Sequence, residues 1–200
     1  MDGLALVFKE VAKEMHTKEV NYLPKFYDKN SECKINSFKE ADKPIVKEFK
    51  GCPVEGNGGS WSGERGNSNW NPDKDIVPGD KHGTNPEHKT WKEILDKYGV
   101  DYIPFKEGEI DLSEISKGEV EIDDFTSDRD SNFDQADEKL AEQKGCTPEE
   151  VEKWRKENRY TWHECKDCKT MQKVPTEVHG NIPHSGGISE VKANENSASK

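Results

Sequence analysis

Apolar positions are sparse along this chain, and where they recur they do so over short windows. Leu4, Val7, Phe8, Val11 and Met15 stand at helical spacing between Lys and Glu, which predicts an amphipathic helix over residues 3–20. Residues 21–50 are dotted with aromatics and lysines and show no clear period. From 51 to 90, Gly and Pro interrupt so often that neither a helix nor a long strand can persist. Trp91, Ile94, Leu95 and Tyr98 then fall at i, i+3, i+4 and i+7, a helix that Gly99 stops.

Val100–Phe105 and Glu119–Phe125 alternate apolar with polar residues, as short strands do. Ser131 opens a helix with Phe133, Ala136, Leu140 and Ala141 inward and Gly145 at its end. Thr147-Pro-Glu-Glu is a capping box with Pro at the first helical position, and predicts a helix to about Asn158. Tyr160–His163 and Thr170–Val174 alternate on either side of a polar turn, which predicts a β-hairpin. Pro175 then starts a helical turn from Thr176. Ala193–Lys200 reads as a frayed tail.

Composition narrows the fold. Leu, Ile, Val and Phe make up 35 of the 200 residues and charged side chains 36%, a balance near disorder. Five Trp and five Tyr offset it, because large aromatics build a core from few residues. The expectation is a loop-rich α+β fold with a small core. No stretch approaches the roughly 18 apolar residues of a membrane helix. The opening Met-Asp-Gly and the charges after it do not read as a Sec signal peptide. Five irregularly placed Cys make no even disulfide framework, so a reduced chain is expected.

The net charge of −11 argues against a polyanionic partner until it is mapped. Residues 107–151 carry 4 basic and 16 acidic side chains, a net of −12. Residues 152–200 carry 9 basic and 7 acidic, a net of +2. The acidic block reads as a solvated face, an electrostatic shield or a dock for a basic partner.

Chemistry concentrates in residues 159–189. His163, His179 and His184, three of the six histidines, fall within 22 positions on a hairpin followed by a helix. Three imidazoles so placed can hold one divalent metal and leave positions open for water and a phosphate oxygen. Nitrogen ligation favours Zn, Ni or Mn over Mg, which prefers oxygen. Cys165-x-x-Cys168 at the hairpin tip is a weak zinc signal that would need two more ligands, from Cys146 or from His82 and His88.

This segment resembles the HNH/endonuclease VII superfamily of ββα-metal nucleases, in particular its toxin-module family named for a Trp-His-His motif. The likeness rests on Tyr160-Thr-Trp-His163, Met171-Gln-Lys-Val-Pro175, His179 and His184-Ser-Gly-Gly187. Asp124–Arg129 and Asn132–Ala136 extend it upstream to about residue 90, and Gly63–Trp70 is a weaker match to similar toxin tails. The second His of the family motif is Glu164 here.

The resemblance implies a metal-dependent endonuclease that leaves 5′-phosphate and 3′-hydroxyl ends, with DNA favoured over RNA. His163, His179 and His184 would bind the ion, and Glu164 would take the position of the base that activates water. The alternative makes His163 the base and brings Glu164 to the metal. Arg155, Arg159, Lys166, Lys169 and Lys173 could neutralise backbone phosphates.

The resemblance also implies an antibacterial toxin neutralised by a cognate immunity protein, and either kept in the producing cell's cytoplasm or sent by a specialised system into that of a target cell. The expected organisation is a variable helical segment over 1–50 that could be the stub of a longer toxin, a nuclease domain over 51–192 with its ββα-metal core at about 158–190, and a disordered tail over 193–200. A different class, a non-catalytic binding module with a small structural metal site, stays open.

Overall fold

Local capping sets most of the helix ends. The Thr90 hydroxyl accepts the Glu93 N–H at 3.3 Å while the Glu93 carboxylate accepts the Thr90 N–H at 2.8 Å. That box starts α1 (Trp91–Tyr98), which Gly99 ends in the left-handed conformation at φ 72°. The computed structural model describes residues 49–198, all within Lys47–Lys200, the second of two units into which the chain divides. The helix expected over 3–20 lies outside the described residues.

Between residues 51 and 90 the Gly-rich chain forms two short strands, β1 (Gly59–Trp61) and β2 (Asn69–Pro72). They join β3 (Ile103–Lys106) and β4 (Glu109–Ile110) in an antiparallel sheet ordered β1-β2-β3-β4. Trp70 sits opposite both Trp61 and Ile103, so the sparse aromatics are spent on one face. That face and α1 enclose a core with Trp70, Trp91, Ile94, Leu95, Ile103 and Phe105.

The second sheet is ordered β5-β7-β6, from β5 (Glu119–Glu121), β6 (Tyr160–Glu164) and β7 (Thr170–Pro175). Against it lie α2 (Arg129–Lys144) and α3 (Pro148–Glu157). The α2 helix begins two residues before the expected Ser131, because the Asp128 carboxylate captures the N–H groups of Asp130 and Ser131. The Thr147–Glu150 capping box forms as read.

Register sorts the second sheet into two faces. Opposed residues share a face, so Trp162 with Lys173 and Glu164 with Met171 look toward α2 and α3. There Val120, Ile122, Leu140, Val151, Trp162 and Met171 form a second core. His163 with Gln172, and Thr161 with Val174, look the other way, toward the first core. The short helix α4 (Thr176–His179) follows β7 directly and packs on β6 and β7, which completes a hairpin-plus-helix unit.

The fold is thus α+β and loop-rich. Its last helix, α5 (Gly187–Ala198), takes in most of the stretch expected to be a disordered tail over 193–200. No apolar period announced it; the Asn196 amide and the Ser197 hydroxyl bond carbonyls one turn back, at Lys192 and Ala193.

Candidate metal centre

Three elements deliver one imidazole each. His163 projects from β6 toward α4, His179 is the last residue of α4, and His184 sits in the loop before α5. Pro175, at φ −61°, starts α4 directly from the strand and so places His179 beside β6. The Asn181 amide holds the following loop by donating to the Glu177 carbonyl at 2.8 Å.

The ring nitrogens converge. His163 Nδ1 lies 3.2 Å from His179 Nε2, which lies 3.1 Å from His184 Nε2. His184 Nδ1 stands 2.8 Å from the Ile182 carbonyl, so it carries the proton and leaves Nε2 as a bare lone pair facing His179. His179 Nε2 has at most one proton to share between its two neighbours. At most one of the two contacts can therefore be a full hydrogen bond, whereas a cation between the rings would satisfy all three nitrogens. Nitrogens that bind one tetrahedral ion at about 2.0–2.1 Å stand roughly 3.3 Å apart, close to the spacing here.

Burial prepares these groups for a metal. It pushes His163 down to about 3, with His184 adding to the effect. His179 is held well below the ordinary histidine value, again first by burial and then by its two partners. His184 is lowered by burial as well. All three are therefore neutral, the form that binds a divalent ion. The donor set, its spacing and its protonation state fit the ion that the sequence pattern implied.

Glu164 is 6% exposed, and both of its oxygens are occupied. Asn132 Nδ2 donates to Oε1 at 3.0 Å and Arg129 Nε to Oε2 at 3.2 Å. Glu164 lines, with Arg129, the three histidines and Ile188, a cavity of about 120 Å3. Adjacent strand residues point to opposite faces, so His163 and Glu164 reach one cavity because β6 ends there. The N-terminus of α5 closes the cavity on another side, where Gly186 and Ser189 line it. A Cβ on Gly186 would fall 2.5 Å from the Glu164 carbonyl, and one on Gly187 2.5 Å from that of Cys165. The Gly-Gly pair lets the helix start flush against the end of the strand.

The five basic residues expected to meet phosphates are dispersed. Arg155 is buried, and its guanidinium donates to both carboxylate oxygens of Asp137, at 2.6 and 3.3 Å. Lys173 is 4% exposed, with its ammonium 4.3 Å from the centre of the Trp154 ring. Both face the α2–α3 side and serve packing, which corrects their reading as phosphate contacts. Arg159 donates to the Gly83 carbonyl at 2.6 Å, and Lys169 pairs with Glu121. Lys166 is half-buried with its ammonium on the Gly108 carbonyl, and its charge acts on His184.

The cation that does stand at the site is Arg129, 62% exposed at its side chain. Sequence reasoning placed it inside the resembling stretch Asp124–Arg129 without a role; its position at the start of α2 was the available signal. Cys168, Cys146, His82 and His88 join no metal-type cluster among the described residues, so the CxxC zinc knuckle is not assembled.

Residues 105–186 match the sequence model of the DNase/tRNase domain of colicin-like bacteriocin, a span that includes β6, β7, α4 and all three clustered histidines. No match is found among curated proteins. The family match supports a bacteriocin-type nuclease toxin domain in this part of the chain, with a nucleic acid as substrate.

Proposed function

We propose that this chain is a metal-dependent endonuclease of the ββα-metal (HNH) type, which cleaves DNA as an antibacterial toxin and is neutralised by an immunity protein. The observation that carries the reading is the convergence of His163, His179 and His184 at 3.1–3.2 Å beside a buried Glu164.

His163, His179 and His184 would hold the ion. Bound there, it supplies Lewis-acid stabilisation of the charge that builds on the phosphate and on the departing 3′-oxygen. Glu164 takes a proton from the water that attacks phosphorus in line, and the 3′-oxygen leaves as the hydroxyl, giving a 5′-phosphate end. Asn132 and Arg129 hold the Glu164 carboxylate, and the exposed Arg129 also offers charge to the phosphate. The start of α5 adds the positive end of a helix dipole on the same side. The opposite assignment, with His163 as base, fits less well, since His163 is 1% exposed with Nδ1 turned to His179.

Supercoiled plasmid incubated with the full chain and Mg2+, Mn2+, Ni2+ or Zn2+ tests the reading. Nicking is expected with at least one ion. His163→Ala and His184→Ala should each lower it at least about a hundredfold, the scale of several kcal/mol of lost charge stabilisation. No nicking with any ion, or full activity in both variants, overturns it. The matched family includes tRNases, so tRNA and rRNA incubated in parallel decide the substrate.

A further inference from the structure

His163 stands in a second cluster as well. One of its ring nitrogens, a Glu109 carboxylate oxygen and the Cys165 thiol sulfur all lie within 4.8 Å of one another. Register explains the meeting: His163 faces away from α2 and α3, toward the β3–β4 hairpin that carries Glu109. Glu109 is anchored, because one of its carboxylate oxygens accepts the Lys166 N–H at 2.6 Å. Cys165 is anchored by its own N–H, which donates to the Thr170 carbonyl at 3.0 Å.

Two further observations point to a ligand here. His163 Nε2 is enclosed and has no hydrogen-bond partner, although a buried ring nitrogen left unpaired is costly. Nδ1 is the nitrogen turned to His179, so Nε2 is the one the histidine cluster leaves over. Glu109 and Cys165, though not His163, also line a neighbouring cavity of about 460 Å3 with Lys106, Glu107, Asp111 and Asp167. Its walls carry more negative than positive charge, which favours a cation.

We propose that Glu109, His163 and Cys165 form a second metal site, selective for a thiophilic divalent ion of the zinc and cobalt class. Mixed sulfur, nitrogen and oxygen ligation suits those ions and disfavours magnesium. The site is separate from the one formed with His179 and His184, and the two share His163. A neutral imidazole offers one lone pair, so the two sites compete for that residue. The inference does not require that the protein be a nuclease.

Cobalt(II) titration of the full chain, followed in the near ultraviolet, tests it. A thiolate-to-cobalt charge-transfer band is expected in the wild type and should vanish in Cys165→Ser. The band should survive in Cys168→Ser, Cys146→Ser, His179→Ala and His184→Ala. Glu109→Gln should raise the cobalt concentration at half-saturation about tenfold. Absence of the band in the wild type, or its survival in Cys165→Ser, overturns the proposal. Circular dichroism checks that Cys165→Ser is folded; if it is not, an unchanged midpoint in Glu109→Gln overturns the proposal instead. A Cys165-dependent band in a chain that never nicks plasmid leaves this site standing and removes the nuclease reading, and the converse pair of results does the opposite.

Discussion

Glu164 and His163 are neighbours in sequence with separate surroundings. His163 faces the other histidines, while Glu164 faces α2 and is held by Asn132 and Arg129. The division of labour follows: Glu164→Gln keeps the shape and one of the two hydrogen bonds, from Asn132 or from Arg129, but cannot take a proton. We expect turnover to fall at least about a hundredfold with metal affinity, measured by calorimetry, little changed. Loss of the metal instead would reverse the two roles. Two arginines make a second contrast. Asp137 accepts from Arg155 and from Trp162 Nε1 at 2.8 Å, so it fastens β6 to α2 from behind the site. Arg155→Ala strands that buried carboxylate and should cost about 3–5 kcal/mol in urea denaturation. Arg129→Ala also takes a partner from Glu164, but that carboxylate keeps Asn132 and borders a cavity, so the variant should cost clearly less stability than Arg155→Ala while lowering cleavage. Equal effects of the two on stability would contradict this assignment.

At the scale of elements, the site is made where strand, short helix and helix start meet. One of its tight joints is Gly186, whose missing Cβ lets the α5 start lie against the end of β6. Gly186→Ala must push the His184 loop away from His163. We expect metal affinity to fall at least about tenfold with far-ultraviolet circular dichroism unchanged; unchanged affinity would show that the joint has room. The hairpin, the capped α3 and the α1 stop were legible because each depends on residues close in sequence: alternation, Thr147–Glu150, Gly99. The strands β1 and β2 were not, since three or four residues acquire strand identity by pairing, and Trp61, Trp70 and Ile103 are brought opposite by register. The α5 helix was not legible either, because no apolar period marks it and only hydrogen bonds one turn back accompany it.

For the whole molecule, the histidines tie stability to pH. All three are held below their unfolded value, so the unfolded chain binds protons that the folded chain refuses. Their stabilising contribution in the metal-free chain is whole above about pH 6.5. It is lost as pH falls, with His163 lost toward about 3. Thermal melting of metal-free protein from pH 8 to 4 should show a falling Tm, and at the upper pH a divalent ion at a hundredfold excess over Kd should raise Tm by adding about 2.7 kcal/mol to the unfolding free energy. A flat metal-free profile would mean that the three rings are not buried together.

The acidic block also changes meaning at this scale. Asp128 caps α2, Glu150 closes a capping box, Asp137 binds Arg155, Glu119 accepts from Gln172, and Glu121 and Asp123 pair with Lys169 and Lys139. These six carboxylates of the block serve a cap, a hydrogen bond or an ion pair, and they are spread over several elements. Sequence alone determined the residue types of the centre, their order on a hairpin and a helix, and the local caps, because these follow from spacing within a few turns. Tertiary structure decided which cations reach the site, placing Arg129 there and burying Arg155 and Lys173. It also decided that Glu109 would stand beside His163. Those outcomes depend on which sheet face each residue takes, and a face is assigned only when strands distant in sequence pair.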